Sequence, residues 1–321
     1  MHPSSRAFAV VCLALFAGPL QAQQYPTKPI RLILPFPPGG STDIVARLIG
    51  QKLTESWGQT VLVDNRPGAG GNVAAETAAK AAPDGYTLFQ ANVANAISAT
   101  LYPKLNYDLL ASFAPVIQLA TTPYVLLAHP SVPAKNTREL VALAKARRGE
   151  LNYASAGAGS ATHLSGELLK ALSGTDILHV PYKGTGPAVT ALLSGEVDLY
   201  FTTVPAAVPL VKSGRVRALG VTSAKRSPLM TDVAPIAEGG LKGYETSTWH
   251  GILAPAATPK EVVVKLNAEI AKILAQPDVR DKLLGQGLEP IGGTPEQFGA
   301  YLRSEIAKWA KVVKASGAKP E

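Results

Sequence analysis

Cysteine is all but absent: the 321-residue chain holds one, Cys12, inside an apolar stretch near its start. Aromatic residues make up only 6% and charged residues 17%, and no block of like charge reaches five residues. These shortages exclude a disulfide scaffold, a thiolate metal site, a disordered acidic or basic tail and a basic–aromatic nucleic-acid surface. No apolar run has the roughly 20 residues that a membrane-spanning helix needs. The five histidines, at 2, 129, 163, 179 and 250, fall without the His-x-x-x-His spacing of a zinc site, so neither a metal nor any other cofactor is expected.

What is plentiful is glycine and proline, 29 and 26 residues, in a chain that is 46% hydrophobic. That composition fits a folded protein with many tight turns. The first residues read as a secretory signal: Arg6 supplies the charge, Ala7 to Gly18 the short apolar run, and Leu20-Gln21-Ala22 the small-residue end. Cleavage after Ala22 would remove Cys12 and leave a thiol-free protein in an oxidising compartment, best matched by a bacterial periplasm. The net charge of +8 favours encounter with small anions.

Beyond the signal, β-branched runs alternate with helical patterns, the grammar of an α/β fold. Ile30 to Leu34, Val61 to Val63 and Tyr86 to Phe89 are expected strands, with helices over Asp43 to Leu53 and Asn72 to Lys80. The layout recurs with strands at Leu126-Leu127, Leu151 to Tyr153, Ile177 to Val180, Leu199 to Thr202 and Val216 to Val221. Helices over Asn136 to Arg147, Ala161 to Leu172 and Pro187 to Leu193 lie among them. The last third begins with an alternating strand, Ser247 to Leu253. It ends with two helices and no strand between them, opened by the capping sequences Thr258-Pro259-Lys260-Glu261 and Thr294-Pro295-Glu296-Gln297. Those helices are expected to return to the first sheet. The organisation is therefore a signal at 1–22, a first α/β domain of 23–122 with 249–321, and a second of 123–248, joined by two crossing segments.

Two loops share one design. Pro35-Phe36-Pro37-Pro38-Gly39-Gly40-Ser41-Thr42-Asp43 and Ser155-Ala156-Gly157-Ala158-Gly159-Ser160-Ala161-Thr162-His163 each run from a strand end into a helix start. Glycines let a ligand approach the backbone, and the first helical turn offers unpaired N–H groups at the positive end of the dipole. Both loops are expected to expose amides to an anion, with hydroxyls from Ser41, Thr42, Ser160 and Thr162 added. Neither matches a dinucleotide or P-loop pattern. Ser160 and His163 admit a second reading as nucleophile and base of a hydrolase, although no Gly-x-Ser-x-Gly elbow surrounds the serine. Tyr182 and Lys183 stand either in a cleft or in solvent; Asp198 caps a turn or meets a cationic group; Trp249 forms a pocket wall or interdomain core.

The two loops, together with Asn65-Arg66-Pro67-Gly68-Ala69-Gly70-Gly71-Asn72, Pro83-Asp84-Gly85-Tyr86-Thr87-Leu88 and Val180-Pro181-Tyr182-Lys183-Gly184, resemble the solute receptors of tripartite tricarboxylate transporters, the Bug or TctC-like family. The resemblance implies a two-lobed, type II-like periplasmic binding protein without enzyme activity. It implies a small organic carboxylate ligand (dicarboxylate, tricarboxylate or aromatic acid) and a two-component membrane permease as partner, with no nucleic acid and no second copy of the chain. By the same resemblance Phe36, Pro37, Gly39, Gly40 and Ser41 hold one end of the ligand. Ser155, Gly157, Gly159, Ser160, Thr162 and His163 hold a carboxylate, and Ala91 and Asn92 complete the first side. Tyr182, Lys183, Asp198 and Trp249 follow with less specific motifs. A sensory partner of a membrane sensor is the alternative that shares this chemistry.

Overall fold

The computed structural model describes residues 25–320, so the expected signal, with Arg6 and Cys12, lies outside the described residues. Among the described residues ten strands form one mixed sheet. The first half holds β1 (Ile30–Leu34), β2 (Val61–Asn65) and β3 (Thr87–Asn92), all parallel, with β9 (Ser247–Pro255) antiparallel beside β3. The second half holds β5 (Asn152–Ser155), β6 (Leu178–Pro181) and β7 (Leu199–Thr203), also parallel.

The two halves meet on β4 (Phe113–Ala128). Its first part, Phe113 to Pro123, pairs with β9, and its last part, Tyr124 to Ala128, pairs with β7 and with β8 (Arg217–Val221). The partners change at Pro123, a residue with no N–H to give a ladder. Thr222, just past β8, closes the junction by exchanging bonds with Tyr124, whose amide donates to the Thr222 hydroxyl (2.8 Å).

Helices cover both faces, as parallel strands buried on two sides require. On the first half α1 (Ser41–Trp57), α8 (Lys260–Ala275) and α9 (Pro277–Gly285) pack on one face around Leu32, Ile49, Ile252 and Leu266. Opposite lie α2 (Asn72–Ala79), α3 (Val93–Leu101) and α10 (Pro295–Ser316), around Phe89, Trp249, Phe298 and Trp309. The second half carries α4 (Thr137–Ala146) and α5 (Ala161–Ser173) on one side and α6 (Thr185–Ser194) and α7 (Val204–Lys212) on the other. Leu164 of α5 also packs into the α3–α10 cluster, so that helix touches both halves.

The last third departs from expectation in two ways. A short strand, β10 (Glu289–Gly292), intervenes between its helices and pairs antiparallel with β4. Pro290 and Gly292 hide it from a propensity reading. The two capping sequences also behave differently. Thr294 and Gln297 bond reciprocally and Pro295 takes the first helical position. At the other, Pro259 is extended (ψ 137°), the helix starts one residue later, and the buried Thr258 hydroxyl makes no cap bond.

Candidate functional site

The loop between β1 and α1 is held from behind. The Asp43 carboxylate accepts bonds from the Gly39 amide (3.1 Å), Arg47 Nε (2.8 Å) and Asn65 Nδ2 (3.2 Å), and Asn65 Nδ2 also donates to the Phe36 carbonyl (2.9 Å). The Arg47 bond, above all, holds Asp43 below the usual carboxylate range. With that carboxylate fully engaged, Gly40 caps α1 with no side-chain bond, leaving the helix start open. Thr42 ties this end to β3, because Gln90 Nε2 donates to its carbonyl (2.9 Å).

The β5–α5 loop is more self-contained than the sequence suggested. Its amides largely serve the loop itself: Ala156 donates to Thr162 Oγ1 (2.9 Å), Gly157 to Ser155 Oγ (3.1 Å), Gly159 to His163 Nδ1 (2.9 Å) and Ser160 to the Gly157 carbonyl (3.2 Å). Ser160 caps α5 by accepting the His163 amide (3.2 Å). The expected row of exposed amides therefore narrows to the first turn of α5, at Ala161 and Thr162, which precede the start of intrahelical bonding.

Two imidazoles stand behind that loop. His163 and His179 stack with ring centroids 3.8 Å apart and planes 12° from parallel. His179 Nε2 lies 2.6 Å from Ser155 Oγ. Because His163 Nδ1 accepts a backbone N–H, its proton must sit on Nε2, which faces Glu167 at 3.9 Å. That orientation supplies no base to Ser160, and the hydrolase reading loses its geometry. Burial lowers both imidazoles, His179 to about 3.

Between the sheet halves lies a cavity of about 610 Å³. No lysine, arginine, histidine, aspartate or glutamate lines it among the described residues. Five helices instead begin at its wall: α1 at Gly40 to Thr42, α3 at Asn92 to Ala94, α5 at Ser160 to Thr162, α6 at Thr185 and α7 at Thr203. Each helix start carries roughly half a positive charge with unsatisfied N–H groups, so the wall is uncharged yet electropositive. An anion is favoured there, and a cation has no counter-charge.

Of the expected residues, Phe36, Gly40, Ser41, Asn92, Gly157, Gly159, Ser160 and Thr162 line the cavity. The others do not. Pro37 and Gly39 are exposed on the loop, and Ala91 is buried against the α2–α3 side. Ser155 and His163 brace the α5 loop from below. Tyr182 donates to Glu196 (2.8 Å), and Lys183 is exposed. Asp198 ties β7 to β5, exchanging two 2.9 Å bonds with Asn152. Trp249 is fully buried and donates to Glu305 (3.0 Å), which also accepts from Trp309. Sequence reasoning missed the α3 wall of Ile97, Ser98, Leu101 and Tyr102, along with Gly70, Tyr124 and Thr248. The i, i+4 spacing of 93, 97 and 101 was the available signal.

Residues 45–318 match the model of the tripartite tricarboxylate transporter family receptor. The chain is 38% identical over 311 residues to the protein BugT of Bordetella pertussis, covering 96% of this chain and 95% of that one. An R. palustris protein solved with adipate aligns at a TM-score of 0.79 with 40% identity, over 92% of this chain and 100% of that one. MatC from Rhodopseudomonas palustris, solved with bound malate, aligns at 0.75 with 36% identity, over 90% and 100%.

Proposed function

The chain belongs to the tripartite tricarboxylate transporter receptor family, and on that basis we propose that it is a periplasmic receptor that captures a small organic carboxylate between its sheet halves and delivers it to a tripartite-type membrane permease. The family is one of solute-binding receptors rather than enzymes. The observation that carries the ligand class is the cavity: among the described residues, five helix starts and no charged side chain suit an anion whose charge is spread over two oxygens. Relatives solved with adipate and with malate support the same class.

Capture works by closure. The halves act as lobes joined by β4 and by the segment from β8 into β9, and a ligand touching both stabilises the closed form by its contacts to each. A micromolar affinity corresponds to about −8 kcal/mol, within reach of several charge-assisted hydrogen bonds after the cost of ordering. The apolar N-terminal segment directs export and is cleaved after Ala22, and the receptor works as a monomer.

Mass spectrometry of small molecules released by denaturing the purified protein, followed by titration calorimetry with the identified compound, tests this reading. One carboxylate bound per chain, saturably and without turnover, is the expected result. Release of a hydrolysis product that stops in Ser160→Ala, or capture of a cationic solute, would overturn it.

A further inference from the structure

The ladder between β4 and β9 ends at Pro123, opposite Ser247. Past that rung the two crossing segments part, because β4 goes on to pair with β7 and β8 while the chain just ahead of β9 lies against Thr222. Thr222 sits in this fork and spends every polar atom on it. Its amide donates to the Tyr124 carbonyl (2.9 Å), and its carbonyl accepts from the Thr246 amide (3.1 Å). Its hydroxyl accepts from the Tyr124 amide (2.8 Å) and donates to the Thr246 carbonyl.

Helix α5 joins the fork to the cavity wall. Ser165, one turn into that helix, brings its hydroxyl to Thr246 Oγ1 (3.0 Å) and to the Ala161 carbonyl (2.8 Å), and Ala161 lines the cavity. The Tyr244 hydroxyl donates to the Ser165 carbonyl (2.9 Å), which fastens the same turn a second time. An unbroken run of hydrogen bonds therefore leads from the first turn of α5, through Thr246 and Thr222, to Tyr124 on the other crossing segment. Thr222, Thr246 and Ser165 are all fully buried, where valine or alanine would fill nearly the same space with no polar atom to satisfy. Apolar contacts have no direction, whereas hydrogen bonds fix the orientation of the pieces they join.

We propose that Thr222, Thr246 and Ser165 are positioning residues that lock the first turn of α5 to both crossing segments, so that this helix start turns with the fork when the halves close. This rests on the receptor reading and deepens it: three hydroxyls that do not line the cavity help to set the affinity for the ligand.

Hydrogen–deuterium exchange of the ligand-free protein tests the lock. The variants are Thr222→Val, which keeps the shape and removes the hydroxyl, and Thr222→Ser, which keeps the hydroxyl. In Thr222→Val the amides of residues 164–166 are expected to exchange at least about tenfold faster, while those of α4 and α6 stay within about twofold of wild type. Thr222→Ser is expected to match the wild type within α5. The reciprocal change, Ser165→Ala, should speed exchange at Tyr124 and Thr222, and it carries the test if Thr222→Val fails to fold. Acceleration confined to the segment that holds the substitution, or equal in Thr222→Val and Thr222→Ser, overturns the lock. Titration calorimetry with adipate and with malate reads the consequence for capture. The tighter of the two is expected to bind Thr222→Val at least about fivefold more weakly than the wild type, and Thr222→Ser within about twofold of it. Equal affinity in all three proteins overturns the role in capture. Exchange is read without ligand, so a wild type that binds no carboxylate overturns the receptor reading, while the lock is decided by exchange alone.

Discussion

His163 and His179 show how much of this site is made by groups that do not face the cavity. Burial, above all, lowers both rings; at His163 Glu167 opposes it and Lys170 adds to it, and at His179 the neighbouring His163 and then Lys170 add to it. Tyr153 and Glu167 close the pocket around them, the tyrosine hydroxyl donating to the carboxylate (2.8 Å). His163→Leu leaves the buried Gly159 amide without its acceptor, at a cost of about 1–3 kcal/mol read in chemical denaturation. The sign of the pH effect follows from the depressed values. An unfolded imidazole takes its proton near 6.5, whereas in the fold His179 waits until about 3 and His250, buried in β9, until about 4. Between those limits the unfolded chain binds more protons, so stability is full above 6.5 and falls steadily as the pH drops toward 4. Urea midpoints measured from pH 8 to 4 should be flat and then fall; a midpoint that rises on acidification contradicts the neutral pair. At this scale the sequence singled out a loop that lines the cavity but not which way its residues turn. His163 and Ser155 stand in the right motif, yet they serve the loop from beneath, because a glycine-rich turn needs side chains to satisfy its amides.

Among elements, those with explicit start signals were legible and those built from small residues or prolines were not. Thr294 caps its helix as its sequence suggests, and Asn136 and Ser160 cap two others. Helix α3 escaped notice because Val93 to Leu101 mixes alanine with β-branched residues, and it is opened by an asparagine pair, Asn92 and Asn95, in place of the usual Ser/Thr–Glu box. Helix α7 carries Pro205 and Pro209, and β4 carries Pro115 and Pro123, which fragment their patterns. The two look-alike caps provide a paired test. Thr294→Ala removes a formed capping box and should cost about 1 kcal/mol. Thr258→Val removes a buried hydroxyl with no partner and should change stability by less than about 0.5 kcal/mol in either direction. Equal losses in thermal denaturation of the two variants would show that the Thr258 cap forms in solution.

For the whole molecule, the proposed capture depends on the halves meeting across the cavity. Gly159 of the second half lies so close to α3 of the first that a Cβ would stand 2.5 Å from Leu101 Cδ2, and its φ of 73° already disfavours any side chain. Gly159→Val should therefore hold the halves apart and weaken ligand binding more than about tenfold, a loss above 1.4 kcal/mol, while leaving far-UV circular dichroism unchanged. Unchanged affinity would mean that this approach plays no part in capture. The most direct measurement is a crystal structure of the protein carrying the ligand with which it is purified. Carboxylate oxygens within hydrogen-bond distance of helix-start amides from both sheet halves, α1 or α3 on one side and α5, α6 or α7 on the other, are the expected result. A ligand held by one half alone, or by a lysine or arginine outside the cavity, would contradict it.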